Sequence, residues 1–173
     1  MSSPLPGQRA GRVMLILCWL AALLLATWFF GAFEEKRENP NQNPASQRHA
    51  DSIEVVLKSG RDGHYRMMGQ INGEKVRLML DTGATSVAIP LKVAKKLGLR
   101  RGAGISVRTA NGTVTAHLTR IDSLQLGDIK LYDVEALISP GMEGEEILLG
   151  MSALRRLEFT HKDGRLLLRQ YLP

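Results

Sequence analysis

Between Val13 and Phe33 the chain passes 21 residues without a charge (VMLILCWLAALLLATWFFGAF), and that run decides which part of it can fold in water. A helix needs about 20 apolar residues to cross the hydrocarbon of a bilayer, so residues 13–33 are expected to be a transmembrane anchor. Trp28, Phe29, Phe30 and Phe33 gather at its far end, where bulky rings favour the interface. A cleaved secretory signal has a shorter apolar core, of about 7–15 residues, and then a small-x-small site. No such site lies near Gly31-Ala32, so the uncleaved anchor is the preferred reading. Arg9 and Arg12 precede the run, whereas Glu34 to Glu38 mix signs after it. This bias places residues 1–12 in the cytoplasm and the rest beyond the plasma (inner) membrane, in the periplasm of a bacterium with two membranes.

Residues 34–52 follow as a flexible tether. They hold Pro40, Pro44 and several Asn and Gln but almost nothing apolar. Such a stretch buries too little surface to offset the entropy of ordering it. What remains, residues 53–173, is enough for one small domain and not for two. Cys18 is the only cysteine and lies inside the apolar run, so the domain must hold together without a disulfide. Net charge is +6, with 18 Lys and Arg against 14 Asp and Glu over residues 51–173. These charges are scattered and aromatics are only 5% of the chain, so the basicity reads as solvated surface, with no nucleic-acid partner.

Over residues 53–173 the apolar pattern has the period of strands. Ile53, Val55 and Leu57 alternate with more polar neighbours. His64–Ile71 and Val76–Leu80 flank Asn72-Gly73, a two-residue hairpin signal, and the second arm ends in the continuously apolar Leu78-Met79-Leu80 of a buried strand. Pro90 opens a short helix with Val93, Ala94 and Leu97 on one face and Gly98 at its C-terminal cap. Residues 105–118 read as a hairpin whose arms, ISVRTA and TVTAHL, flank Asn111-Gly112. Further strands turn at Gly127-Asp128 and at Asp163-Gly164. Ile147-Leu148-Leu149-Gly150 ends a second apolar strand before a short helix over Ser152–Leu157. The two halves repeat, each running hairpin turn, apolar strand, small-residue turn and helix. An all-β domain with two short helices and internal pseudo-symmetry follows.

Asp81-Thr82-Gly83 follows the first apolar strand. A bare tripeptide is a weak signal, but here the carboxylate ends a buried strand in a turn of small residues, where Gly83 lets another backbone approach. A plain reading is an Asp closing a turn on its own backbone. Other chemistries have less support. His49, His64, His117 and His161 have no metal-ligand spacing, no Gly-x-Ser-x-Gly surrounds Ser86 or Ser152, and Gly102-Ala103-Gly104 lacks the dinucleotide pattern. No metal and no cofactor are expected.

Three segments together, LMLDTGATS (78–86), the hairpin around TANG (109–112) and ILLGMSALRRLEF (147–159), resemble the retropepsin-like aspartic peptidases. They resemble more closely the membrane-anchored bacterial branch, and the likeness covers about residues 53–172. It implies an all-β acid-protease barrel and an aspartic-type endopeptidase acting on polypeptide substrates. In such enzymes two adjacent carboxylates share one proton, so that one serves as base to a water and the other as acid to the leaving amide. The chain has one Asp-Thr-Gly, and the matching position in the second half is Gly150. The partner of Asp81 must then come from a second chain across a two-fold axis, which makes the active species a homodimer.

The resemblance assigns Asp81 as the catalytic carboxylate. Thr82, Gly83 and Ala84 would support the loop, Thr82 by bonding across the dimer. Thr109, Ala110, Asn111 and Gly112 would be the flap tip over the substrate. Ala84 stands where many two-lobed relatives carry a hydroxyl residue, which implies a working pH nearer neutral than that of digestive enzymes. The family's C-terminal dimer strand is not recognisable by motif. The alternative from another class is a non-catalytic dimeric module that holds a peptide in the same groove.

Overall fold

The computed structural model describes residues 6–109 and 112–172. They fall into two units, divided between Arg37 and Glu38. The first is a single helix, α1 (Pro6–Glu38), in which Ala10–Gly31 is long and apolar enough to cross a membrane. Its 22 residues rise about 33 Å, close to the hydrocarbon thickness of a bilayer. Its large apolar side chains, from Val13 to Phe33, are exposed all round, which suits lipid and not a protein core. The hydroxyl of Thr27 donates back to the Leu23 and Leu24 carbonyls, so the helix exposes no unsatisfied side-chain donor there.

The second unit holds eleven strands and two short helices among the described residues. In chain order they are β1 (Ala45–Arg48), β2 (Ser52–Lys58), β3 (Arg66–Ile71), β4 (Glu74–Leu80), β5 (Val87–Pro90), α2 (Leu91–Lys96), β6 (Gly104–Thr109), β7 (Gly112–Leu126), β8 (Ile129–Ser139), β9 (Glu146–Leu149), α3 (Met151–Leu154), β10 (Glu158–Lys162) and β11 (Arg165–Tyr171). A seven-stranded sheet runs β3-β4-β9-β5-β8-β7-β6, and a β3–β7 pairing closes its first six strands into a barrel. The closure needs Gly69: a Cβ there would meet the Leu78 side chain at 2.5 Å and the Gln125 carbonyl at 2.7 Å. A four-stranded sheet, β1-β2-β11-β10, completes the domain. Fully buried Leu57, Met67, Leu78, Ile89, Ile121, Leu124, Ile129, Leu131, Ile138 and Ile147 lie in one core.

The turn chemistry falls where the dipeptides place it. Asn72 and Gly73 (φ 51° and 86°) and Asp163 and Gly164 (φ 51° and 68°) take left-handed conformations between paired strands. These are the two-residue turns whose twist matches a hairpin. Gly98 (φ 65°) ends α2, its N–H donating to the Lys95 carbonyl. The second helix is shorter than the span Ser152–Leu157: α3 stops at Leu154 and continues as hydrogen-bonded turns to Leu157. Glu146 opens β9 and pairs with Arg66 at 2.8 Å.

The largest departure from the sequence reading lies in the flexible tether expected over residues 34–52. α1 continues to Glu38, and the chain then joins the domain directly. Asn39 and Asn41 are buried. The Asn41 amide donates to the Lys58 and Arg66 carbonyls at 2.8 and 2.6 Å, and its Oδ1 accepts from the Lys58 N–H at 2.8 Å. Its main-chain carbonyl accepts from Met68. One side chain thereby ties the end of β2 to the start of β3, joining the two sheets. Further on, β1 pairs antiparallel with β2, and Ser46 Oγ accepts from the Asp128 N–H at the β7–β8 turn. The segment is polar because its order comes from hydrogen bonds to open backbone groups, not from apolar burial.

Candidate active site

β4 and β9 lie side by side in parallel, pairing Leu78 with Ile147, Met79 with Leu148 and Leu80 with Leu149. These are the two apolar runs of the internal repeat, so the repeat is a spatial one. Each strand ends in a turn of small residues, and the two turns interlock. The Asp81 N–H donates to the Leu149 carbonyl at 3.2 Å. In return, the N–H groups of Met151 and Ser152 donate to the carbonyls of Ala84 and Thr85 at 2.8 and 3.0 Å.

Gly150 makes this interlock possible. A Cβ there would run into the Ser86 carbonyl and lie 2.7 Å from that of Ala84. Backbone cannot retreat from such a clash, so the second turn must have glycine where the first has its carboxylate. The Ser152 hydroxyl closes the arrangement from below, donating to the Glu135 carbonyl at 2.8 Å and accepting from the Val87 N–H at 3.0 Å. The bond to the Val87 N–H is shielded from solvent and that to the Glu135 carbonyl partly so, and together they tie α3, β5 and β8. In the sequence Ser152 reads as the start of a short helix without a nucleophile motif around it, and this bridging role does not show. The available signal was a small hydroxyl residue two places after the Gly150 turn.

Asp81 is half-buried at the head of this turn. Its Oδ1 accepts from the Gly83 N–H at 2.9 Å, and its carbonyl accepts from the Ala84 N–H at 3.2 Å. The carboxylate is therefore oriented by backbone while its second oxygen remains free of protein donors among the described residues. Thr82 and Gly83 are exposed, and the Thr82 hydroxyl makes no hydrogen bond within the chain among the described residues. Ala84 contributes only main-chain groups.

The flap candidates lie elsewhere in the same sheet. Thr109 ends β6 and Gly112 (φ 111°) begins β7, and the Thr109 hydroxyl donates to the Gly112 carbonyl at 2.8 Å, closing the hairpin tip. Ala110 and Asn111 lie outside the described residues. No hydrogen bond among the described residues joins this hairpin to residues 81–84. No group of three or more metal-ligating side chains occurs among the described residues.

This barrel and turn define the class: a retropepsin-like aspartic protease. The fold matches a crystal structure of a retropepsin-like aspartic protease from Rickettsia conorii with a TM-score of 0.58 and 25% identity, covering 75% of this chain and 95% of that one. The chain belongs to the family described as gag-polyprotein putative aspartyl protease, whose model matches residues 67–156, from β3 to just beyond α3. It is also 31% identical over 108 residues to an uncharacterized protein from the cobV 5′ region of a Sinorhizobium species, covering 61% of this chain and 46% of that protein. A second similar protein, from Rickettsia prowazekii (strain Madrid E), is 30% identical over 122 residues, covering 68% of this chain and 52% of that one. The chain thus spans about half the length of the curated relatives it matches.

Proposed function

We propose that this chain is a membrane-anchored aspartic endopeptidase that hydrolyses peptide bonds with a water held between two Asp81 carboxylates, one from each copy of a homodimer. The observation that carries this reading is the asymmetry of the interlocked turns. One presents a carboxylate with one oxygen held by backbone and one left open; the other presents Gly150, where no side chain fits. A single copy therefore has half of an acid–base pair, and a second copy supplies the other half. Like charges so close cannot both ionise, so the pair shares a proton and provides base and acid at once.

On this reading Thr82, exposed and with its hydroxyl unbonded among the described residues, bonds across the two-fold axis. Gly83 holds the carboxylate, Ala84 fixes the turn, and residues 109–112 close over an extended substrate strand. Residues 1–12 lie in the cytoplasm, the apolar run 13–33 crosses the inner membrane and the domain from Glu38 onward faces the periplasm. The test is digestion of an unbiased peptide library by the full chain in detergent or lipid, beside Asp81→Asn. Cleavage should fall by at least about two orders of magnitude in the variant, with folding and dimer formation retained. Equal cleavage by both proteins would end the proposal.

A further inference from the structure

From Thr82 to Ile121 the chain carries seven Lys and Arg and no carboxylate, whereas the rest of residues 51–173 carries eleven against fourteen. This one-sided stretch includes α2, the loop after it, β6 and the first part of β7. It borders an open cavity of about 650 Å³, within the size range of ligand sites. Residues 98–102 line the cavity from the loop, Leu118, Arg120 and Asp122 from β7, and Glu135 from β8. None of residues 81–84 does. The loop is fixed at both ends. At the α2 end the N–H groups of Gly98 and Leu99 donate to the Lys95 and Ala94 carbonyls at 3.2 and 3.0 Å. At the β6 end the Gly102 N–H donates to the Leu118 carbonyl at 2.8 Å, and the Leu118 N–H to that of Ala103 at 2.9 Å. A Cβ at Gly102 would lie 2.8 Å from the Leu118 carbonyl, so only glycine lets the loop press so close. The cavity is therefore formed before anything enters it, which lowers the cost of binding.

The charges around it define an occupant. Arg120 is engaged by Asp133 at 2.6 Å and by Glu135 at 3.8 Å. Arg100, Arg101 and Asp122 have no ion pair among the described residues. Leu118, 43% exposed, and half-buried Leu99 offer apolar surface in the same cavity. A matching ligand brings carboxylates to the two guanidinium groups, which bind them in paired hydrogen bonds. It also brings an apolar side chain to Leu118 and a cation or N–H donor to Asp122. Nucleic acid or a phosphate-bearing surface would satisfy the arginines but meet Asp122 with like charge, and no aromatic ring lines the cavity to stack on a base. A polypeptide segment carries all three groups. We propose that this cavity is an exosite that holds an acidic segment of the polypeptide substrate, away from the bond that is cut. The loop leads into β6 and Leu118 lies on β7, so the cavity stands at the root of the hairpin that ends at residues 109–112. A segment held there raises the effective concentration of the same polypeptide beneath the hairpin tip. The inference rests on the reading of the chain as a peptidase and adds the class of substrate it prefers.

The test uses the full chain in detergent and a fluorescent peptide of sequence EELLK, read by anisotropy, beside the charge-exchanged KKLLE. EELLK should bind at least about tenfold more tightly than KKLLE, and Arg100→Gln combined with Arg101→Gln should remove about that much. Asp122→Asn should weaken EELLK and leave EELLA unmoved. Joining EELLK by a Gly-Ser linker to one end or the other of a cleaved library peptide should lower KM about tenfold with kcat unchanged. The double arginine variant should lose that gain while cleaving the unextended peptide as the parent does. Equal binding of EELLK and KKLLE, or an affinity unmoved by the arginine substitutions, would overturn the proposal. So would displacement of EELLK by an equal concentration of short single-stranded DNA or phosphatidylglycerol, which marks a general anion site. Binding through Arg100 and Arg101 combined with full cleavage by Asp81→Asn would leave the exosite standing and remove the reading of Asp81. Loss of cleavage in Asp81→Asn without binding of EELLK would do the reverse.

Discussion

Ser152 shows how a residue outside any motif can govern the position of one inside it. Its hydroxyl is both donor and acceptor between two backbone groups on different strands, the bond to Val87 buried and that to Glu135 partly so. Ser152→Ala leaves the buried Val87 N–H unpaired and removes the partly buried bond to the Glu135 carbonyl. The expected cost is about 1–3 kcal/mol of folding stability, read as a lowered urea midpoint with an unchanged slope. The Asp81 turn, which rests on α3, should loosen with it. Gly150 belongs to the same scale: its importance comes from lacking atoms, which composition or periodicity alone does not convey. Asp81-Thr82-Gly83 was legible because the motif is local and its preceding strand has a local signature. The groups that lock the turn were not, since they come from the other half of the repeat.

Among the elements, the strap from Asn39 to Arg48 is the most informative. It is polar, rich in Pro and Asn, and by composition looks free. Yet Asn41 makes three side-chain hydrogen bonds to the ends of β2 and β3. Asn41→Ala should cost about 1–3 kcal/mol, measured by thermal or chemical denaturation, and a soluble domain beginning at Ile53 should be less stable than one beginning at Glu38. If the shorter form is equally stable, the strap is only a passenger. The hairpins were legible from their turn dipeptides, because a left-handed turn admits few residue types. The four-residue β5 was not, because a run as short as Val87–Pro90 becomes a strand only by pairing with β8 and β9.

For the whole molecule, the exposed ion pairs set an acid limit. Arg169 beside Glu54, Arg66 beside Asp62 and Lys92 beside Glu145 hold each of those carboxyls below its usual range. A group whose folded pKa is depressed contributes stability above its unfolded pKa and loses that contribution as pH falls through the folded one. The melting temperature should thus stay level between about pH 7 and 5 and decline below about pH 4. Added salt should shrink the effect, because these pairs lie near the surface. A decline beginning near neutrality would point to other groups.

From its residues alone this chain determined an apolar helix of membrane-spanning length, a strand-rich domain without disulfides, the turns between strands, and a lone Asp-Thr-Gly at the end of an apolar run. All of these are local properties: charge-free length, alternation, and dipeptides that tolerate left-handed backbone. Only the tertiary structure decided that β4 and β9 lie in parallel contact, that Gly150 interlocks with the Asp81 turn, and that the polar strap joins the folded domain. Those outcomes depend on which backbone groups remain unpaired after distant segments meet, and a linear reading does not contain that information.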